Sequence, residues 1–397
     1  MNLSSKRLFY TLCILPIEYL TFSVNFLYVL LYIRLKYRRI NDPVLVFFVL
    51  YVIVSYLIGL FFYIPWEPNS LLKQFISFAT FSSGLFLLLI KFDKSDFENL
   101  ISATITASAL YSLWVILMFI THSSEFSLNE IYGIKIQLRE YVWDWPQTYV
   151  PILVFALIVG FSRRKINTMY MPLLVLFPIV IFFTFTRSAY LALFTGLISY
   201  LFLNTMEVKS KMSINKLIKI AAFFIIALVV LYFILKNEGV HNALYAMAHR
   251  SFYAIYNFLT GSVPDIGSDE ERTAIMQTSL SIAMDHFLTG TGFGGIYLFI
   301  ENIGSTHNQY LDTLLKMGVI GFACMIYVFV KILRYFYHRD KGIFSGFIAL
   351  LVYGLFNAVY QQPYLIFLFF SMLSFVDNQD TRVACKTEKL SLTNQLI

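Results

Sequence analysis

The sequence predicts an all-α fold, a polytopic transmembrane helical bundle, on three observations. Of its 397 residues 58% are hydrophobic and only 13% are charged, where a soluble domain carries roughly a quarter charged residues. The apolar residues fall in long runs separated by short polar breaks. Pro43 to Trp66 and Gly342 to Val376 hold no charge, and between Lys165 and Glu207 the one charge is Arg187. Several runs exceed the roughly 18 residues that mark a spanning helix. In hydrocarbon a backbone amide has no water to bond, so each run must satisfy its own polar groups, which means helix. The alternation of a membrane β-barrel is absent.

In chain order, spans are expected near 8–33, 43–65, 74–90, 98–120, 147–162, 168–186, 188–206, 217–235, 309–333, 342–361 and 363–377. Basic clusters set their sidedness. Arg34 to Arg39, Lys91 and Lys94, Arg163 to Lys165, Lys209 to Lys216, Arg334 to Lys341 and Arg382 to Lys389 all fall on one side of the count. By the positive-inside rule that side is the cytoplasm. The opposite side holds two longer segments, 121–146 and 236–306, both poor in Lys and Arg for their length. Loops as long as the second are usually functional. The expected organisation is a bundle over 1–376 with periplasmic loops 121–146 and 236–306, and a polar cytoplasmic tail over 377–397. Eleven spans place the N-terminus outside, whereas Lys6 and Arg7 place it in the cytoplasm. Pro16 and Glu18 interrupt the first run and mark a broken or paired helix there.

The first run is too long for a signal-peptide core and lacks a small-residue cleavage site, so no cleavable signal is expected. Cys13, Cys324 and Cys385 lie in spans or the tail and suggest neither a disulfide scaffold nor a metal cluster. The net charge of +7 is explained by membrane topology, because the basic residues sit in short inter-helix loops, and no nucleic-acid partner is implied.

Four groups of residues could carry chemistry. Arg187 divides an apolar run long enough for two spans, and a tight hairpin there puts it at the outer boundary of the membrane. An arginine at that level is a functional candidate; the alternative is an interfacial anchor. Thr306-His307-Asn308 precedes a span that contains Gly318 and Gly321. Ser305 or Thr306 as N-cap would place His307 in the first helical turn, where the helix dipole disfavours imidazolium and leaves a neutral base. The alternative for a lone histidine is a capping role. The two glycines are expected to let this helix approach a neighbour closely, and Asp312 and Lys316 to pair within it. Arg272, in the acidic stretch Asp269 to Glu271, reads by itself as a solvated charge. The Gly290-Thr-Gly-Phe-Gly-Gly295 segment has no strand–turn–helix context for a dinucleotide fingerprint and is expected to turn the outer loop tightly. Finally, Arg139, Trp143, Asp144 and Trp145 cluster in the first outer loop. Their indole faces suit stacking on sugars, and equally suit anchoring at the interface.

Thr186-Arg187-Ser188-Ala189 opening a span, Arg272 in the outer loop, Gly290-Thr-Gly-Phe-Gly before re-entry, and Thr306-His307-Asn308-x9-Gly-x-x-Gly321 follow one another over roughly residues 170–325. In their order and spacing the chain resembles the O-antigen polymerase and O-antigen ligase superfamily of bacterial envelope glycosyltransferases. The family usually has about twelve spans with both ends cytoplasmic, against the eleven counted here. The resemblance implies a multi-pass protein of the cell inner membrane that takes a glycan from undecaprenyl diphosphate at the periplasmic face and passes it to a saccharide acceptor hydroxyl. It implies neither metal nor other cofactor. Carried over, Arg187 and Arg272 bind the diphosphate and His307 deprotonates or orients the acceptor hydroxyl, with Asn308, Arg139, Trp143 and Trp145 binding substrate. Two activities share these motifs: a polymerase that extends one lipid-linked chain with another, favoured here by the aromatic-rich chain and its polar 121–146 loop, and a ligase that moves the finished chain to the lipid A core. A chain-length regulator is a further candidate partner. The rival class is a transporter of lipid-linked sugars. Transporters commonly show repeated halves, and no internal repeat is found here.

Overall fold

The apolar runs become helices wherever the chain is described, and caps fix several of their ends. The computed structural model describes residues 3–63, 68–121, 146–163, 171–184, 186–207, 267–300 and 305–395. The expected span at 217–235, most of the outer loop 121–146 with Arg139, Trp143 and Trp145, and the first part of the outer loop 236–306 lie outside these residues. Among the described residues the helices are α1 (Leu3–Ile14), α2 (Glu18–Lys36), α3 (Pro43–Ile58), α4 (Pro68–Phe86), α5 (Lys94–Thr121), α6 (Pro146–Ser162), α7 (Met171–Phe183), α8 (Arg187–Glu207), α9 (Gly267–Asp285), α10 (Gln309–Tyr337), α11 (Lys341–Gly354) and α12 (Pro363–Gln395). Five helical segments are long and apolar enough to cross a bilayer: Pro43–Phe62, Asn69–Leu89, Lys94–Met118, Arg187–Thr205 and Gln309–Tyr337. The protein is thus a helical membrane bundle. Asp42 caps α3, accepting from the amide of Val44 at 2.9 Å with Pro43 as first helical residue, an arrangement that uses proline where its missing N–H costs nothing. Asp340 caps α11 through the amide of Ile343 at 2.9 Å. α12 is central: every residue from Pro363 to Asn378 is buried, as expected of a helix that is apolar on all sides.

The first run is two helices, not one span. The chain breaks at Leu15 to Ile17, and the ammonium of Lys6, early in α1, and that of Lys36, closing α2, both pair with the buried carboxylate of Asp96. The hydroxyls of Tyr10 and Tyr28 hydrogen-bond at 3.1 Å. With twelve residues, α1 is about 18 Å long, short of the roughly 30 Å hydrocarbon core. The start of α1 is therefore held at the end of the bundle that carries Lys36, which removes the conflict between the span count and Lys6 and Arg7.

Ion pairs gather at that same end. Arg38 meets Asp377 at 2.9 Å and Lys331 meets Asp377 at 2.7 Å. Arg163 pairs with Glu98 and, at 3.1 Å, with Asp340. Lys341 donates to the carbonyl of Leu203 at 2.8 Å. Among the described residues Lys36, Arg38, Arg163 and Lys341, from three of the basic clusters, thus share one end. α12 does not loosen at Asp377: it continues helical to Gln395, and Asn378 donates to the carbonyl of Phe92 at 2.7 Å.

α10 is broken at Gly318, whose φ of 60° and ψ of −171° lie in a region open only to glycine. A break inside a membrane helix frees carbonyls that need other donors, and the glycine turn supplies them. The amide of Thr291 donates to the carbonyl of Leu315 at 2.8 Å and that of Gly292 to Lys316 at 2.9 Å. From α3, the Ser55 hydroxyl donates to Lys316 and the Tyr51 hydroxyl to Met317, each at 2.9 Å. The fit is tight: a Cβ on Gly292 would stand 2.4 Å from the Cα of Gly59, and one on Gly318 would stand 2.3 Å from the carbonyl oxygen of Leu288. Gly318 thus allows the close approach expected of it and in addition supplies a backbone conformation, while Gly321 supplies clearance beside Tyr51, whose ring carbon a Cβ would approach to 3.2 Å.

Candidate functional site

Arg187 is the first residue of α8, directly after the turn that ends α7. Local bonds shape this hairpin. Thr186 donates from its hydroxyl to the carbonyl of Thr184 at 3.1 Å, and the Tyr190 hydroxyl donates to Phe182 at 2.6 Å. α8 has 21 residues, about 31 Å of helix, and its far end lies beside Lys341. Arg187 therefore stands at the opposite end of α8 from Lys341 and the ion pairs. Its neighbour Ser188 is buried, accepts from the Asn357 side-chain amide at 2.9 Å, and shares a hydrogen bond with the hydroxyl of Tyr353.

Tyr353 also lies within electrostatic reach of Arg272. Arg272 is half-buried in α9, a helix that packs on α10 and leads into the glycine turn. It is half-buried rather than fully solvated, and through Tyr353 it lies in the neighbourhood of Ser188, the residue that follows Arg187.

The third element arrives from α10. Its N-cap is Asn308, whose side-chain oxygen accepts from the amides of Tyr310 at 2.9 Å and Leu311 at 3.0 Å. The same side chain donates to the carbonyl of Leu355 at 2.9 Å. The expected cap at Ser305 or Thr306 is corrected. Asparagine caps at least as well as either, and here its second half also finds a partner across the helix gap. Ser305 and Thr306 shape the approach instead: the Ser305 hydroxyl accepts from the amide of His307 at 3.1 Å, and the Thr306 hydroxyl donates to the carbonyl of Asn308 at 2.8 Å. His307 thus sits one residue before the cap, outside the helix. Its φ is 54°, the one positive φ on a non-glycine among the described residues. Such a conformation costs about 1–3 kcal/mol, persists where its surroundings enforce it, and tends to occur at functional sites.

Ser188, Arg272 and Asn308 are thereby each tied to residues 353–357 at the end of α11, which brings the neighbourhoods of Arg187 and His307 to one end of the bundle. Sequence reasoning missed the residues that gather them. Asn357 holds Ser188, and Tyr310 donates from its hydroxyl to the carbonyl of Leu351 at 2.8 Å. Gln309, buried, accepts from the amide of Tyr360 at 2.6 Å. The available signal was Asn357, Gln361 and Gln362 before Pro363, a polar interruption in an otherwise apolar run. Guanidinium groups such as those of Arg187 and Arg272 suit recognition of a diphosphate, since arginine binds such oxygens bidentately.

Residues 172–326 match a family model described as O-antigen ligase. No curated protein matches the chain. The matched stretch spans Arg187, Arg272, the glycine turn, His307 and the break in α10 together, and over residues 172–326 this chain is similar to that O-antigen ligase family.

Proposed function

We propose that the protein is a glycosyltransferase that moves a glycan from undecaprenyl diphosphate to a saccharide hydroxyl at the periplasmic face of the bacterial inner membrane, as a polymerase of a surface polysaccharide such as O-antigen. This reading is supported by the ties of Ser188, Arg272 and Asn308 to residues 353–357, which place the neighbourhoods of Arg187, Arg272 and His307 at the end of the bundle opposite the ion pairs. In the reaction the acceptor hydroxyl oxygen bonds to the anomeric carbon, the bond from that carbon to the diphosphate breaks, and the hydroxyl proton passes to His307. The polyprenyl diphosphate leaves with its charge held by Arg187 and Arg272, an electrostatic stabilisation of the leaving group. Arg139, Trp143, Trp145 and Asn308 contribute to holding the glycan, and a chain-length regulator is a candidate partner in the membrane.

Alanine at Arg187, Arg272 or His307 is expected to abolish transfer from a lipid-linked donor in proteoliposomes while membrane abundance is unchanged. A normal chain-length ladder from Arg187→Ala overturns the assignment. The matched family description, O-antigen ligase, favours a second reading, transfer of the finished chain to the lipid A core. Gene deletion separates the two, leaving a single-repeat cap for a polymerase and bare core for a ligase.

A further inference from the structure

Below the Asn308 cap, α10 carries two charges buried within the bundle: Asp312 is 2% exposed and Lys316 is 8% exposed. They pair as the sequence predicts, the ammonium of Lys316 standing 2.8 Å from Oδ2 of Asp312. The Gln361 side-chain amide adds a longer donation to that same oxygen, at 3.3 Å. Oδ1 of Asp312 is buried with no hydrogen-bond partner among the described residues. Both side chains line a cavity of about 20 Å³, walled also by Ser77, Phe81, Phe293 and Tyr360. Gly295 sits directly against it. A Cβ there would come within 2.8 Å of the Lys316 Cε and 3.8 Å of Asp312 Oδ1.

An ionised carboxylate oxygen left without a donor in an apolar interior is costly, and charged residues within membrane bundles are candidates for function. The cavity is too small for a sugar ring and large enough for one oxygen with its hydrogen. An oxygen placed there has an acceptor in Asp312 Oδ1 and a donor in the Lys316 ammonium, whose three N–H groups are not used up by a single carboxylate oxygen. A hydroxyl meets both needs at once, donating to Asp312 and accepting from Lys316. The aromatic walls suit the apolar carbon that bears it.

We infer that Asp312 and Lys316 form a hydroxyl-binding subsite that receives one hydroxyl of a saccharide substrate. The inference rests on the saccharide-transfer reading above, and it assigns to this pair a specificity-determining role beside the arginines. The same hydrogen-bonding chemistry would hold a resident water, so the test has to separate the two.

The probe is the free repeat-unit oligosaccharide released from the producing strain's own polysaccharide, added to the purified full-length protein in detergent. Asp312→Asn alone and Lys316→Met alone are compared with the double substitution, which removes both charges together and avoids leaving one buried without its partner. If a saccharide hydroxyl occupies the subsite, the oligosaccharide raises the thermal midpoint of the wild type and fails to raise that of the folded double variant. In proteoliposomes the double variant then shows a KM for the lipid-linked glycan raised about tenfold or more, the loss expected for a hydrogen bond to a charged group. If the double variant folds with an unchanged KM and an unchanged oligosaccharide response, the site holds water only and the inference is overturned. A wild type that responds to the oligosaccharide yet transfers nothing refutes the proposed function and leaves the subsite standing. A wild type that neither responds nor transfers refutes both.

Discussion

Substituting Gly318 by alanine should destabilise the protein by about 3–5 kcal/mol, through the backbone rather than through any lost side chain. At φ 60° and ψ −171° a residue with a Cβ is strained by roughly 1–3 kcal/mol. The new carbon would also stand 2.3 Å from the carbonyl oxygen of Leu288 and 2.6 Å from the amide nitrogen of Thr289. Both are backbone atoms and cannot rotate aside, so the 287–292 turn has to shift. That turn carries the bonds from Val319 to Phe287 at 2.8 Å, Thr291 to Leu315 at 2.8 Å and Gly292 to Lys316 at 2.9 Å. Losing two of them adds about 2 kcal/mol at roughly 1 kcal/mol each. The sum is a large fraction of the roughly 5–15 kcal/mol that holds a typical domain together. Reversible unfolding in mixed detergent micelles measures it. Gly294→Ala is the matched control, because Gly294 has helical dihedrals and the atoms nearest its added Cβ belong to the Leu298 side chain, which can move; it should cost about 1 kcal/mol or less. A Gly318→Ala protein as stable as the Gly294→Ala protein would refute the account of the broken helix.

Three further outcomes are expected. Asn308→Ala removes a cap and an inter-helix bond, and should cost about 1–2 kcal/mol in the same unfolding experiment; because it also frees Leu355, glycan transfer should fall while abundance is retained. Asp96→Ala leaves Lys6 and Lys36 without their shared carboxylate, and should expose a cysteine placed at position 4 to faster labelling from the side that also labels position 39. The carboxyl of Asp42 is held below the ordinary carboxylate range: burial pushes it up, but hydrogen bonds from Lys331 and Tyr327 outweigh that. A depressed folded value means its contribution is complete above the unfolded pKa of roughly 4 and is lost as pH falls through the folded value. The stability difference between wild type and Asp42→Asn should therefore be flat from neutral pH down to about 5 and close below about 4; a gap that widens on acidification contradicts the sign.

The bundle was legible in the sequence because hydrocarbon leaves the backbone so few options. The runs at 43–65, 98–120 and 188–206 fell within a few residues of the helices found. Sidedness was legible for a related reason, since Lys and Arg had to gather at one end and the ion pairs of Arg38, Arg163 and Lys331 show them there. Other features depended on tertiary partners that no local pattern records. Nothing near Asn308 announces that its side chain will bridge to Leu355, so the cap was placed on Ser305 or Thr306, which follow the same local preference. Gly318 and Gly321 look alike as a small-residue pair, and only the amides waiting at Thr291 and Gly292 distinguish a break from a contact. Arg272 looked solvated because its neighbours in sequence are acids, while its neighbour in space is Tyr353.

The break in α10 explains why the glycine turn and the His-Asn element occur together. The nine residues from Gln309 to Met317 form a separate piece of helix, held from below by the donors of the glycine turn and of α3. This piece presents Asn308 to Leu355 and Gln309 to Tyr360, and so fixes the turn that also carries Tyr353 and Asn357. An unbroken helix would continue the axis of its lower half, and its orphan carbonyls would close on their own amides instead of on Thr291, Gly292, Ser55 and Tyr51. The turn and the break are therefore one device, in which each supplies hydrogen-bonding groups that the other leaves unsatisfied. Their separation by more than twenty residues in the chain conceals a contact of under 3 Å in the fold. It follows that damage at Gly290 or Gly292, far from any reacting atom, should displace the His307 end of α10 and reach transfer through geometry alone.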